Sequence, residues 1–108
     1  MSIDVDSLTQ SMMTAARGLA GGVWEAMESY ALPELKKIAT QIAAIAEHRE
    51  DYTEAGARIL LRMQVNATVA VFVAMTTLTM IEVEEAINAI LSAVRDQVNG
   101  VIGFGPLG

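Results

Sequence analysis

Cysteine is absent from this chain, and basic and aromatic residues are scarce. Without cysteine there is no disulfide, no thiolate metal site and no cysteine nucleophile. Seven Lys and Arg stand against thirteen Asp and Glu, and only Lys36 and Lys37 are adjacent. A nucleic-acid-binding face needs clustered basic residues to displace counterions from phosphates. The composition therefore argues against a nucleic-acid partner.

The chain also lacks the marks of a cleaved secretory signal. Its first ten residues hold no basic n-region and no early apolar stretch. We expect a cytoplasmic or particle-associated protein, with a membrane location as the alternative. A virion-internal or secreted component would fit the missing signal and the small size.

Motifs of catalysis and cofactor binding are missing as well. The single histidine, His48, follows Glu47 directly and belongs to no Glu-x-x-His pair, which a di-iron bundle would need. No G-x-S-x-G sequence and no glycine-rich phosphate loop is present. We therefore predict no enzyme, no cofactor, no metal site and no small-molecule substrate.

What the chain does have is aliphatic surface. Hydrophobic residues make up 53% of its 108 residues and charged residues 19%, against roughly a quarter in typical soluble domains. The length suits one domain. An uncharged run extends from Met63 to Ile81, and glutamates begin at Glu82. This run is about as long as a membrane span, although threonine and amide side chains are spread through it.

Helical spacing of apolar residues predicts two long arms, residues 7–48 and 54–99, around a polar turn at 48–53. Ser7 and Gln10 can form a capping box at the start of the first arm, and Pro33 predicts a break or kink within it. Asn99-Gly100 is a good stop for the second arm. An apolar, glycine-rich tail follows at 100–108.

The predicted fold is all-α: a long antiparallel helical hairpin that completes a bundle by self-association. Each arm would be roughly 60–70 Å long at 1.5 Å per residue. Folding at the turn would place Arg17 beside Glu84 and Glu85, and Asp6 beside Arg95, as ion pairs within the hairpin.

A two-helix hairpin has no interior, so its apolar surface must be covered from outside. We predict a non-enzymatic structural or assembly protein that forms a homo-oligomer. Trp24 and Phe104 are candidate interface anchors. The alternative is a membrane-inserting or pore-forming hairpin with a span near 63–81. In either case the predicted self-association or membrane-facing residues are Val65, Val69, Phe72, Met75, Leu78 and Val83.

Overall fold

The structure, a computed structural model, describes residues 4–18 and 22–102. These ranges contain four α-helices and a short 3₁₀ turn at Arg49–Asp51, and they contain no strand. The all-α prediction is confirmed. The helices are α1 (Val5–Arg17), α2 (Gly22–Glu47), α3 (Glu54–Met75) and α4 (Met80–Ile102).

The prediction of one continuous second arm is wrong, because α3 and α4 are separate helices. The chain leaves helical geometry at Thr76, whose φ of −129° and ψ of 177° are extended. The Thr76 hydroxyl donates to the carbonyl of Phe72 at 2.6 Å and accepts the N–H of Leu78 at 3.2 Å. The Leu78 N–H is thereby bonded to a side chain instead of a helical carbonyl, which favours the end of α3.

The first arm is also divided, but not at Pro33. Helix α2 runs through Pro33, and α1 ends earlier, at Arg17, with Gly18 as its C-cap. Proline deprives the carbonyl four residues earlier of its partner. That residue, Ser29, is exposed, and solvent can hydrate its carbonyl. The predicted Ser7 cap is wrong too, since Asp4 caps α1 by accepting the N–H groups of Asp6 and Ser7.

The polar segment 48–53 does separate two helices, as predicted. The Thr53 hydroxyl caps α3 by accepting the N–H of Gly56 at 2.9 Å. The predicted stop at Asn99-Gly100 is wrong, because α4 continues to Ile102. The last six residues of the predicted tail, 103–108, lie outside the described residues.

The four helices enclose a core within one chain. Helix α2 contacts the other three, α1 also packs on α4, and α3 also packs on α4. The longest dimension is 40 Å, so arms of 60–70 Å are wrong. Folding at 76–79 brings α4 back over α1 and α2, which buries apolar faces that a hairpin would leave open. The largest fully buried side chains are Leu8, Met12, Met27, Leu35, Ile38, Ile42, Ile45, Phe72, Val83, Ile87 and Ile90.

Candidate interaction surfaces on α3 and α4

Most of the residues predicted to mediate self-association belong to the chain's own core. Phe72 and Val83 are fully buried, and Val69 nearly so. Val65 and Leu78 are half-buried against the same core. Met75 alone of the six is exposed. The prediction placed these six residues on a contact surface because it assumed a straight helix. The turn after α3 instead brings α4 back over the helix and directs most of these side chains inward.

The two candidate anchors do not form an external contact among the described residues. Trp24 is buried in the core of this chain, so its ring packs against other residues of the same chain. Phe104 lies outside the described residues.

The predicted ion pairs are replaced by others. The carboxylate of Asp6 lies 3.7 Å from Lys36 Nζ, and Arg95 Nε lies 3.9 Å from the carboxylate of Asp96. None of the ion pairs that join described residues links Arg17 to Glu84 or Glu85, or Asp6 to Arg95. The prediction aligned the arms about the turn at 48–53, but α4 is aligned by the second turn at 76–79.

A groove with a volume of about 670 Å³ runs between α3 and α4. Its floor is apolar, formed by Leu61, Val65, Val69 and Leu91. Its walls carry Arg58, Arg62 and Asn66 from α3 and Glu84, Asn88 and Ser92 from α4. Both signs of charge therefore border the groove, with the arginines toward the start of α3 and the glutamate near the 76–79 turn.

The outer face of α3 is apolar and open. Five exposed residues recur on it every three or four positions, which places them on one stripe. The two large ones, Ile59 and Met63, are 61% and 62% exposed. The members of this outer stripe are Ile59, Met63, Ala67, Ala70 and Ala74.

The other helices present mostly polar residues to solvent, although Leu32 on α2 and Met80 and Ile81 at the start of α4 are exposed large apolar side chains. Helix α4 exposes three glutamates, two amides and Asp96, and α2 exposes Glu25, Glu28, Lys36 and Lys37. Helix α3 has no charged residue after Arg62. An outward helix face of this length is normally charged, so the apolar character of the outer stripe is unusual for a surface that faces solvent.

The start of α4 is fixed by a reciprocal cap. The N–H of Glu82 donates to the Thr79 hydroxyl at 3.2 Å, and the N–H and hydroxyl of Thr79 each donate to the Glu82 carboxylate at 3.0 Å. The backbone bond first, and the hydroxyl bond second, hold the pKa of Glu82 below its ordinary value of 4.5.

Sequence reasoning missed the outer stripe, although its spacing is readable from the sequence. It treated the whole uncharged run as one contact surface and assigned the wrong helix face to that surface.

No group of three or more His, Asp or Glu among the described residues is placed to hold a metal ion. No protein-family model matches the chain, and no curated protein or solved structure is significantly similar to it.

Proposed function

We propose that this chain is a non-enzymatic assembly protein that associates with a second copy of itself through the outer stripe of α3. The observation that carries this proposal is the distribution of side-chain size along the stripe. Ile59 and Met63 occupy its first half, and Ala67, Ala70 and Ala74 occupy its second half.

This asymmetry is self-complementary under a two-fold axis. If two α3 helices pack antiparallel about the midpoint between Asn66 and Ala67, Ile59 of one copy lies opposite Ala74 of the other, and Met63 lies opposite Ala70. A large side chain then fills the space beside a small one, which is how packed helices interdigitate. A two-fold contact uses the same patch on both copies, as most homodimers do.

Charge supports the same orientation. Arg62 flanks the first half of the stripe, one turn after an Arg58 that pairs with Glu54 at 2.9 Å, and Glu82 and Glu85 follow its second half at the start of α4. Antiparallel packing brings Arg62 of one copy toward the acidic start of α4 in the other. Such complementarity sets the orientation and the rate of association more than the affinity.

Matched charge substitutions test this proposal. Ala70→Glu buries a carboxylate opposite Met63 of the other copy, and we expect dimerisation to weaken by about 100-fold or more. Ala93→Glu is the control, because Ala93 is an exposed alanine on α4. Sedimentation velocity should show a dimer for the parent chain and for the control, and a monomer of equal helicity for Ala70→Glu. A parent that stays monomeric, or an Ala70→Glu chain that dimerises normally, contradicts the proposal.

Membrane association is the second candidate. Helix α3 is long and apolar enough to cross a bilayer by length and composition, and 22% of its most apolar window is buried within the protein. Core helices of soluble proteins pass the same test. The span foreseen at 63–81 is not one helix, because α3 ends at Met75. The candidate span therefore includes Arg58 and Arg62, which are costly in lipid.

Flotation with vesicles separates the two candidates. Self-association predicts that the protein stays at the bottom of the gradient as a defined oligomer in detergent-free buffer. Membrane association predicts that it floats with zwitterionic vesicles and resists a carbonate wash. Ala70→Glu then lowers flotation rather than oligomer size.

A further inference from the structure

The turn between α3 and α4 lacks the residues that usually make a turn permanent. Residues 76–79 are Thr-Thr-Leu-Thr, with neither glycine nor proline. All four can adopt helical geometry, since threonine is only moderately unfavourable in a helix. The apolar helical pattern also continues through them from Met63 to Ile81. A straight helix from α3 into α4 is therefore sterically accessible.

The groove shows that the α3–α4 hairpin is symmetric about this turn. Arg62 and Ser92 line the groove together, and each lies fifteen residues from Thr77. Asn66 and Asn88 also line it, and each lies eleven residues from Thr77. If the turn straightens in two copies that cross at Thr77, α4 of each copy meets α3 of the other in the same register.

We infer that two copies exchange their α4 helices by straightening residues 76–79. This inference rests on the self-association proposed above and describes a second contact between copies. In the exchanged dimer, α4 of one copy packs on α1, α2 and α3 of the other. The packing contacts of the helices in the closed chain are kept, and only the contacts of the turn, including those of Leu78, change, which is why exchange is a low-cost route to a dimer.

The balance between the two forms is set at the turn. Straightening breaks the Thr79–Glu82 cap and the hydrogen bond from the Leu78 N–H to the Thr76 hydroxyl. The bond from that hydroxyl to the Phe72 carbonyl is kept, because Thr40 makes the same bond within α2. In return, the end of α3 and the start of α4 satisfy each other's backbone groups within one helix. Met80, which is 56% exposed in the closed chain, gains cover. In a straight helix it shares a face with Val73 and Thr76, and that face meets the turn of the second copy.

Exchange has a consequence for the assembly. Each groove is then built from both copies, with Arg62 from one and Ser92 from the other. The outer stripes of the two α3 helices stay on the surface of the exchanged dimer. Two different self-contacts on one chain, the exchanged helix and the outer stripe, extend association beyond a pair.

Single-cysteine chains test the exchange directly, because the parent chain has no cysteine. Asn66→Cys and Asn88→Cys chains are unfolded together, refolded as a mixture, and treated with a short bismaleimide cross-linker. In the exchanged dimer, the thiol introduced on α3 of one chain faces the thiol introduced on α4 of the other across the groove. A covalent product that contains one chain of each kind is therefore expected. A chain that carries both substitutions, cross-linked within itself when diluted, shows that the reagent spans the groove.

Substitutions in the turn provide a second test of the exchange, made in the same cysteine chains. Thr77→Pro disfavours a straight helix, because it removes the helical partner of the Val73 carbonyl, and Val73 is packed against the core, whereas Ser29 before Pro33 is exposed. It suits the closed turn, because Thr76 already has the extended geometry that a following proline requires. It should abolish the mixed product and leave helicity and outer-stripe dimers unchanged. Thr79→Ala removes the cap and should raise the exchanged fraction about fivefold per chain, the effect of losing one helix cap. Thr77→Ala is the matched control for the proline.

The outcomes separate this inference from the proposed function. A mixed cross-link that Thr77→Pro removes supports exchange. An oligomer without the mixed cross-link, or with one that Thr77→Pro leaves unchanged, overturns exchange and leaves outer-stripe association standing. A chain that sediments as a monomer at every concentration overturns both.

Discussion

Thr79 and Glu82 cap each other at the start of α4. The N–H of Thr79 donates to the Glu82 carboxylate at 3.0 Å, and the N–H of Glu82 returns a bond to the Thr79 hydroxyl at 3.2 Å. This reciprocal pair satisfies two backbone donors at a helix end. It also fixes where α4 begins, and hence where the chain turns back on itself.

The cap makes part of the stability dependent on pH. Because the pKa of Glu82 is lowered in the folded chain, its contribution is present above the ordinary pKa of 4.5 and is lost as the pH falls through the lowered value. Glu82→Gln cannot titrate. We expect the stability difference between the parent and Glu82→Gln to shrink through that acidic range, measured by thermal unfolding. Glu85→Gln, which removes the same charge one turn later, should show a weaker trend. If the stability difference from the parent changed equally with pH for both variants, the cap would be excluded as the cause.

Two threonines on α3 and at its end should respond in opposite ways to the same substitution. The Thr68 hydroxyl is buried and has no hydrogen-bond partner among the described residues. Thr68→Val removes an unpaired polar atom at nearly constant shape, and should raise the free energy of unfolding by about 1 kcal/mol. Thr76→Val removes both hydrogen bonds of the Thr76 hydroxyl and should lower it by about 1 kcal/mol. Urea unfolding of both variants checks the signs, and a loss of stability in Thr68→Val would contradict this explanation.

Glycines at two helix positions provide a second matched pair. A Cβ at Gly100 would meet nothing within 4 Å, so Gly100→Ala should stabilise α4 by about 0.5–1 kcal/mol through reduced backbone entropy in the unfolded chain. A Cβ at Gly56 would lie 3.0 Å from the Thr53 hydroxyl that caps α3. Gly56→Ala should therefore raise the free energy of unfolding by less than Gly100→Ala does, or should lower it. Thermal unfolding would refute this explanation if Gly56→Ala were the more stable variant.

Helix type was predictable from the sequence, because apolar spacing reports which residues can share a helical face. The turn at 48–53 was predictable for a related reason, since six polar residues cannot continue an apolar stripe. The break at 76–79 had a local signal in the Thr-x-x-Glu pattern of Thr79 and Glu82, which begins many helices. The uncharged apolar run through the same residues favoured a continuous helix. Tertiary packing decides which of these two signals prevails, and the sequence alone does not show it.

The division of the first arm and the choice of surface were harder to foresee. Pro33 signals a helix break, yet its cost falls on the carbonyl of an exposed residue, and exposure depends on the fold. Likewise, Phe72 and Ala70 are both apolar positions in one run. Only the return of α4 decides that Phe72 faces the core and Ala70 faces outward.

The final prediction tests whether Phe72 belongs to the chain's own core or to a contact between copies. Phe72 is fully buried, whereas Met75, three residues later, is 51% exposed. Phe72→Ala should lower the free energy of unfolding by about 3–5 kcal/mol, the usual cost of a cavity left by a phenylalanine. Met75→Ala should change it by less than about 1 kcal/mol. Urea unfolding at several protein concentrations distinguishes the two roles. If Phe72 lay between copies, the loss in Phe72→Ala would grow as the protein is concentrated, because only the parent would gain from association. A loss that persists in the monomeric Ala70→Glu background instead assigns Phe72 to the interior of a single chain.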